Sequence, residues 1–398
     1  MSSSSTRDSS SARVTLNSLF LGMAHAMVDA ASGFLLFRHV VNGPQDPGTV
    51  ILLVILYNLI AFGGQAPAGL VLDRFRTYRF TALLGSGICA TALLLAPVAV
   101  LPCVILIGAG NALFHVGAGA LVLASSGTRA SAPGVFVGPG AVGLCAGIWL
   151  GGQTMACRGW IASLLVLSAL LSLRVSRRWM NERTSLPAIR PRGFLLAACV
   201  ACLLISVTVR SVVGGTVAGT WRGVSVEVMV FLALAACAGK MLGGFVADRI
   251  GWVTTSVGAL ALSAMLVSGL VDRPVCAVSG MLLFQMTMAV TLKATHHAMP
   301  GRPGLAFGLP CMALLFGALP ALLPWGHPVL TWPAVLALVA AAAILIAVGL
   351  RLLAGAGACA APRCCHPHRT FTTNRSERPR PSGPGWGRQA APEKSRAG

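Results

Sequence analysis

Residues Gly69 to Arg79 read GLVLDRFRTYR. An apolar run closes on a glycine, an aspartate follows four positions later, and the arginines Arg74, Arg76 and Arg79 crowd behind it. A weaker echo, GFVADRIGWVT, runs from Gly244 to Thr254 and also closes an apolar run. The copies lie 175 positions apart, about half of the apolar part of the chain. A repeat on that scale sets the architecture before any single site is considered. Both copies sit where a membrane helix would leave the bilayer, so the next question is how many spans flank them.

Composition supports that reading. The chain of 398 residues is 56% hydrophobic and only 10% charged, with mean hydropathy +0.79. A soluble domain carries about 25% charged residues. Ten per cent cannot cover a water-facing surface, so the composition indicates a polytopic membrane protein. The formal net charge of +20 does not point to nucleic acid, because the arginines gather in the gaps between apolar runs. That is the pattern of loops facing an anionic cytoplasmic leaflet. Most of the twelve cysteines lie inside apolar runs (Cys89, Cys145, Cys199, Cys202, Cys237, Cys311), where cysteine acts as a small apolar packer. No cofactor and no metal site is expected from their spacing. The first apolar run contains His25 and Asp29 and lacks a small-residue cleavage site, so it reads as a retained span rather than a signal peptide.

A helix needs about 20 residues to cross a core of ~30 Å. Spans are predicted near 16–37, 49–72, 80–98, 101–125, 134–156 and 158–175, and again near 194–214, 225–247, 252–270, 274–293, 304–323 and 330–353. This is an all-α polytopic fold of twelve helices in two six-helix bundles, 16–175 and 194–353. A polar N-terminal tail (1–15), a basic linker (176–193) and a basic tail (354–398) complete the chain. With the N-terminus inside, inner segments up to residue 350 hold fifteen Lys and Arg, Lys293 and Arg302 among them. Outer segments hold four: Arg38, Arg158, Arg222 and Arg273. The imbalance places both termini in the cytoplasm, in a plasma membrane or bacterial inner membrane. The tail is rich in Arg, Pro, Gly and Ser and reads as disordered. Its RCCHPH stretch (Arg363 to His368) is low-complexity composition or, alternatively, a metal or acyl site on Cys364 or Cys365.

Two six-span halves, a basic linker and a G-x-x-x-D-R motif after the second and eighth spans resemble the major facilitator superfamily over residues 16 to 353. The resemblance implies that Gly69, Asp73 and Arg74, and more weakly Gly244, Asp248 and Arg249, set which side of a transporter is closed. The family places glycine three residues after the aspartate; this chain has Arg76 there, whereas the second copy keeps Gly251. GAGNALFHVGAGALVL (Gly108 to Leu123) resembles the fourth span of the fosmidomycin-resistance-like branch. FVGPGAVGL (Phe136 to Leu144) partly resembles the G-P motif of antiporters in the superfamily, although Gly-Pro can also simply kink a helix for packing.

Ionisable groups in the membrane core are functional candidates by default. Asp29 lies roughly 20 Å in from the inner side at about 1.5 Å per residue. His25 is one turn earlier on the same face. Burial disfavours a carboxylate's charge and a neighbouring imidazolium favours it, so the pair can load and release a proton near neutral pH. His115 and Asn111 repeat the i, i+4 spacing on the fourth span. The other reading for both pairs is a hydrogen-bonded brace between helices. Asn58, Gln65 and Gln285 are polar at depth and either contact substrate or bond another helix. Arg210 is expected near the outer interface and Lys240 snorkelling inward or paired with a carboxylate; pointing into a cavity instead, they would favour an anionic or zwitterionic substrate.

The function these residues suggest is a monomeric secondary transporter working by alternating access among membrane lipids. It moves a small organic molecule with protons, export favoured over uptake. No G-x-x-x-x-G-K-[ST] sequence appears to bind ATP phosphates. The alternative is a non-transporting receptor or adaptor on the same scaffold. An enzyme is disfavoured, since neither H-E-x-x-H nor G-x-S-x-G is present.

Overall fold

In hydrocarbon a backbone must satisfy its own polar groups, and a long apolar run does so as an α-helix. The computed structural model describes residues 2–153, 157–173, 193–221, 223, 225–322 and 330–357, all in one unit of the chain, Met1–Pro367. These residues form helices and no strands. Ten helical segments are long and apolar enough to cross a membrane: Arg13–Val41, Pro47–Phe75, Tyr78–Leu95, Val100–Ser125, Ser131–Gly151, Gly193–Trp221, Val226–Ile250, Pro274–Ala298, Pro303–Leu322 and Trp332–Gly355. Two shorter apolar helices, Cys157–Leu170 and Trp252–Val267, fall in the sixth and ninth places. Numbered in chain order, the twelve match the twelve predicted spans. Residues 174–192 (the expected linker up to 192 among them), Arg222 and the tail beyond 357, with Cys364 and Cys365, lie outside the described residues.

Boundaries differ in two informative places. The first helix starts at Ser2, so the polar stretch expected as a tail is already helical. The tenth runs on to Ala298, past Lys293, where the sequence places its end. The π-helical turns Leu36–Val41 and Leu59–Gly63 re-aim the first and second helices.

Helix pairing repeats between halves. The first helix packs on the fifth, and the third on the fourth and sixth. Six places on, the seventh packs on the eleventh, and the ninth on the tenth and twelfth. The two most extensive contacts between the halves are the fifth helix with the eighth and the second with the eleventh; the fourth also packs on the eleventh, and the fifth on the tenth. Small residues make those crossings close. A side chain on Gly138 would collide with Met241 and the Cys237 carbonyl, and one on Gly308 with the Gln65 backbone.

The Gly69–Arg79 stretch turns at Arg76, whose φ of +55° is the one positive value on a non-glycine residue among those described. Its counterpart Gly251 has φ +99°. The left-handed conformation costs a side-chain-bearing residue about 1–2 kcal/mol. Arg76→Gly is therefore expected to raise the thermal unfolding midpoint in detergent, and an unchanged or lower midpoint would show that Arg76 holds contacts outweighing the strain.

Candidate functional site

Near the middle of the first helix, His25 and Asp29 stand one turn apart, and the fourth helix brings Asn111 and His115 against them. His25 Nε2 lies 3.1 Å from Asp29 Oδ2, and His115 Nε2 lies 3.6 Å from Asp29 Oδ1. The two Nε2 atoms are 2.8 Å apart. Asn111 Nδ2 donates to Asp29 Oδ1 at 3.1 Å and to Ser32 Oγ at 3.3 Å. Each histidine is anchored through its other nitrogen: His25 Nδ1 meets the Phe136 carbonyl at 3.0 Å, and His115 Nδ1 meets the Asn111 carbonyl at 2.9 Å. His25 and His115 are buried, and the Asp29 side chain is 19% exposed. The buried Oδ1 of Asn111 has no hydrogen-bond partner among the described residues.

Glycines explain how these groups reach one another. Gly140, in the glycine-proline stretch of the fifth helix, lies against the cluster; an added Cβ would fall 2.6 Å from Asp29 Oδ2 and also on His25 Nε2. Gly143 and Gly147 abut the Ala26 and Ala30 backbones on the same crossing. On the fourth helix, Gly110 and Gly117 fit the third helix and Gly119 fits Phe307. The glycines of that helix pack, and that packing aims His115 at Asp29. Gly140→Ala is expected to displace the cluster and lower function at least tenfold in a reconstituted flux assay. Gly159→Ala, with nothing within 4 Å of the new methyl, is the control. Equal activity of the two variants would mean that the fifth helix does not position the cluster.

The facing half contributes Lys240, on the eighth helix, close enough to interact with the charges of Asp29 and His115. Of the two expectations for Lys240, snorkelling inward or pairing with a carboxylate, this position is nearer the second. Cys311 lies within the same electrostatic reach, and Tyr57 and Cys89 flank Asp29 on its own half.

Other candidates stay apart. Arg210 is buried, not at the interface: Nη1 donates to Thr287 Oγ1, Nη2 to Thr291 Oγ1 at 3.1 Å, and Nε to the Ser206 carbonyl at 3.3 Å. The seventh helix continues to Trp221, so Arg210 is well inside it, and the threonines of the tenth helix satisfy the guanidinium. Asn58 bonds the Val54 carbonyl and Gln65 the Ala61 carbonyl, each on its own helix. Gln285 reaches Met281 Sδ at 3.6 Å.

The paired motifs form a second constellation. Asp73 Oδ1 and Oδ2 accept from the backbone N–H groups of Gly304 and Leu305 at 2.7 and 2.8 Å, at the start of the eleventh helix. Asp248 accepts from Ala130 and Ser131 at 2.7 and 3.0 Å, where the fifth begins. A carboxylate there satisfies N–H groups a helix leaves unpaired and suits the positive end of its dipole. Gly69 and Gly244 press against the same helix starts, Gly304 and Ser131 respectively. Arg74 and Arg249 are exposed. Tyr78 donates to Asp73 Oδ1 at 2.8 Å.

The sequence reading missed Lys293, taken there as a loop cation. It is fully buried, and its Nζ donates to the Leu123 carbonyl at 3.0 Å and Ser126 Oγ at 2.7 Å, with His296 Nδ1 at 3.4 Å. It thus sits at the carboxyl end of the fourth helix, beside the Asp248 contact, where the dipole favours a cation. Removing it from the inner count leaves fourteen against four.

This arrangement of two six-helix halves, joined through the second, fifth, eighth and eleventh helices, is the fold of the major facilitator transporters. A crystal structure of the E. coli fucose:proton symporter FucP superposes with a TM-score of 0.62 at 12% sequence identity, covering 85% of this chain and 99% of that one. A second FucP structure, described as a major facilitator superfamily transporter in the outward conformation, gives 0.57 at 10% identity over 85% and 98%. No protein-family model and no curated protein matches the sequence. Identities this low establish the fold and leave the chemistry to the site. The chain is thus an integral, multi-pass membrane protein of that fold.

Proposed function

We propose that this chain is a secondary active transporter, coupled to protons through Asp29, His25 and His115, that moves a small organic molecule by alternating access. The observation that carries the reading is the buried His–Asp–His cluster, set mid-helix in one half and faced by Lys240 from the other. A titratable group at that depth is expensive to keep and serves an ion path by default. Placed between the halves, it can meet either side in turn as they rock. The solved neighbour whose name includes a proton symporter supports the same choice of ion.

The moving parts are the bundles 16–175 and 194–353, with both termini cytoplasmic. In that orientation Asp73, Asp248 and Lys293 hold the cytoplasmic side shut, and the cluster opens outward. The acid Asp29 faced by the cation Lys240 favours an anionic or zwitterionic substrate, with Asn111 as a further contact. Export by proton antiport is favoured by the fosmidomycin-resistance-like and glycine-proline fragments.

The test is proton movement in proteoliposomes, driven by a small library of organic anions, antibiotics and metabolites. Substrate-dependent acidification or alkalinisation is the expected result, and its sign gives antiport or symport. Silence with every compound, from protein shown to be folded, would sink the transporter reading and restore that of a receptor.

A further inference from the structure

The histidine geometry specifies where electron pairs point. A backbone carbonyl only accepts, so His25 Nδ1, 3.0 Å from the Phe136 oxygen, carries a hydrogen. The same holds for His115 Nδ1, 2.9 Å from the Asn111 oxygen. In a neutral imidazole the other nitrogen then presents a lone pair. The two Nε2 atoms therefore confront one another at 2.8 Å, with Asp29 oxygens at 3.1 and 3.6 Å. Three electron-pair donors converge on one point, and a cation must lie among them. A shared proton satisfies the two nitrogens; a metal ion satisfies all three donors.

The spacing suits a metal. With bonds of about 2.0–2.1 Å, neighbouring ligand atoms around a tetrahedral zinc ion are about 3.3–3.4 Å apart. One ligand atom from each of the three residues lies within 4.8 Å of the others, so closing on an ion takes a small outward shift of the 2.8 Å nitrogen pair and the choice of one Asp29 oxygen. Histidines that bind metal also donate their remaining N–H to a carbonyl or carboxylate, which fixes the ring. Both rings here are fixed in that way, by the fifth helix and by the fourth helix itself. Nitrogen-plus-carboxylate ligation selects zinc-class divalent ions over calcium or magnesium.

We infer that His25, Asp29 and His115 bind a divalent transition-metal ion of the zinc class in place of the proton they share. The inference uses the cluster of the proposed coupling site but does not require that the protein transport anything. Lys240, whose charge reaches both Asp29 and His115, opposes the ion and weakens its binding. Tyr57, Cys89 and Cys311 are the other ionisable groups nearby.

The experiment is a Co2+ titration of the purified full-length protein in detergent, read by visible absorption, with Zn2+ as competitor. One Co2+ per chain is expected, with the intense visible bands of a four-coordinate ion, lost on adding Zn2+. His115→Ala should bind at least tenfold more weakly, and Lys240→Met several-fold more tightly. Cys364→Ser with Cys365→Ser should leave binding unchanged, separating this site from the tail. Helical circular dichroism and gel filtration confirm that each variant is folded, and Lys240→Met gives a signal in the direction opposite to unfolding. Failure of the folded protein to bind cobalt overturns the inference, as does a site that survives His25→Gln with His115→Ala or disappears with the tail cysteines. The titration is run without substrate or gradient, so that result would leave proton coupling standing. Metal binding in a protein without proton flux would remove only the coupling.

Discussion

Asp29→Asn is expected to cut substrate-driven proton movement in proteoliposomes by about 100-fold or more while the protein remains folded and inserted. The substitution keeps the shape and the hydrogen bond from Asn111, which now meets an amide oxygen instead of a carboxylate. It removes the charge to which His25 and His115 both turn. Without it the two imidazoles have no counter-charge on their own half, and Lys240 faces them unopposed. Loss of a group that hands on a proton typically lowers rate by about 100-fold or more, and that is the expected fall in coupled flux. Substrate exchange with no proton gradient should survive, because it needs alternating access but no net proton transfer. Coupled flux within a few-fold of the unaltered protein would remove Asp29 from the mechanism and turn attention to the histidines.

Asp73→Ala combined with Asp248→Ala should shift the protein towards a state open on the side where those residues join the halves. Each aspartate accepts two backbone N–H bonds from the opposite half, all between 2.7 and 3.0 Å. A hydrogen bond to a charged group is worth about 1.5–3 kcal/mol net. Losing one aspartate removes two such bonds and therefore moves the balance by roughly 3–6 kcal/mol, on the order of 100-fold or more, and losing both multiplies that factor. The measurement is alkylation of a single cysteine introduced beside Lys293, in an otherwise cysteine-free protein. Its rate should rise steeply in the double variant and by less in each single one. An unchanged rate would show that the helix crossings alone, Gly69 with Gly304 and Gly244 with Ser131, keep that side closed.

Much of the fold was legible because hydrocarbon leaves a chain so few choices. Span length, the repeated G-x-x-x-D-R stretch and the polar gap after the sixth span led to twelve helices in two halves. The i, i+4 spacing showed His25 beside Asp29 and Asn111 beside His115. It did not show that the pairs converge, because that depends on how closely the first, fourth and fifth helices approach. Gly140 settles the fifth helix's approach, yet by sequence it is one glycine among many. Lys293 was misplaced because a cation ordinarily marks the end of a span. Its ammonium instead hydrogen-bonds the end of another helix, a partner 167 positions away along the chain and invisible to local pattern. Arg210 was misjudged similarly, since depth was counted along the seventh helix without the tenth helix's threonines.

The two aspartate contacts have one further consequence. Asp73 holds the helix that starts near Gly304, and Asp248 holds the one that starts near Ala130, so each half grips the other through the same feature. This is the pattern of an isologous dimer, in which one patch is its own complement, here written into one chain. Such a joint needs a single surface to be right, and any change to that surface made in both halves is felt twice. A six-helix half on its own would present both the grip and the place it grips, and would be expected to pair with its own kind.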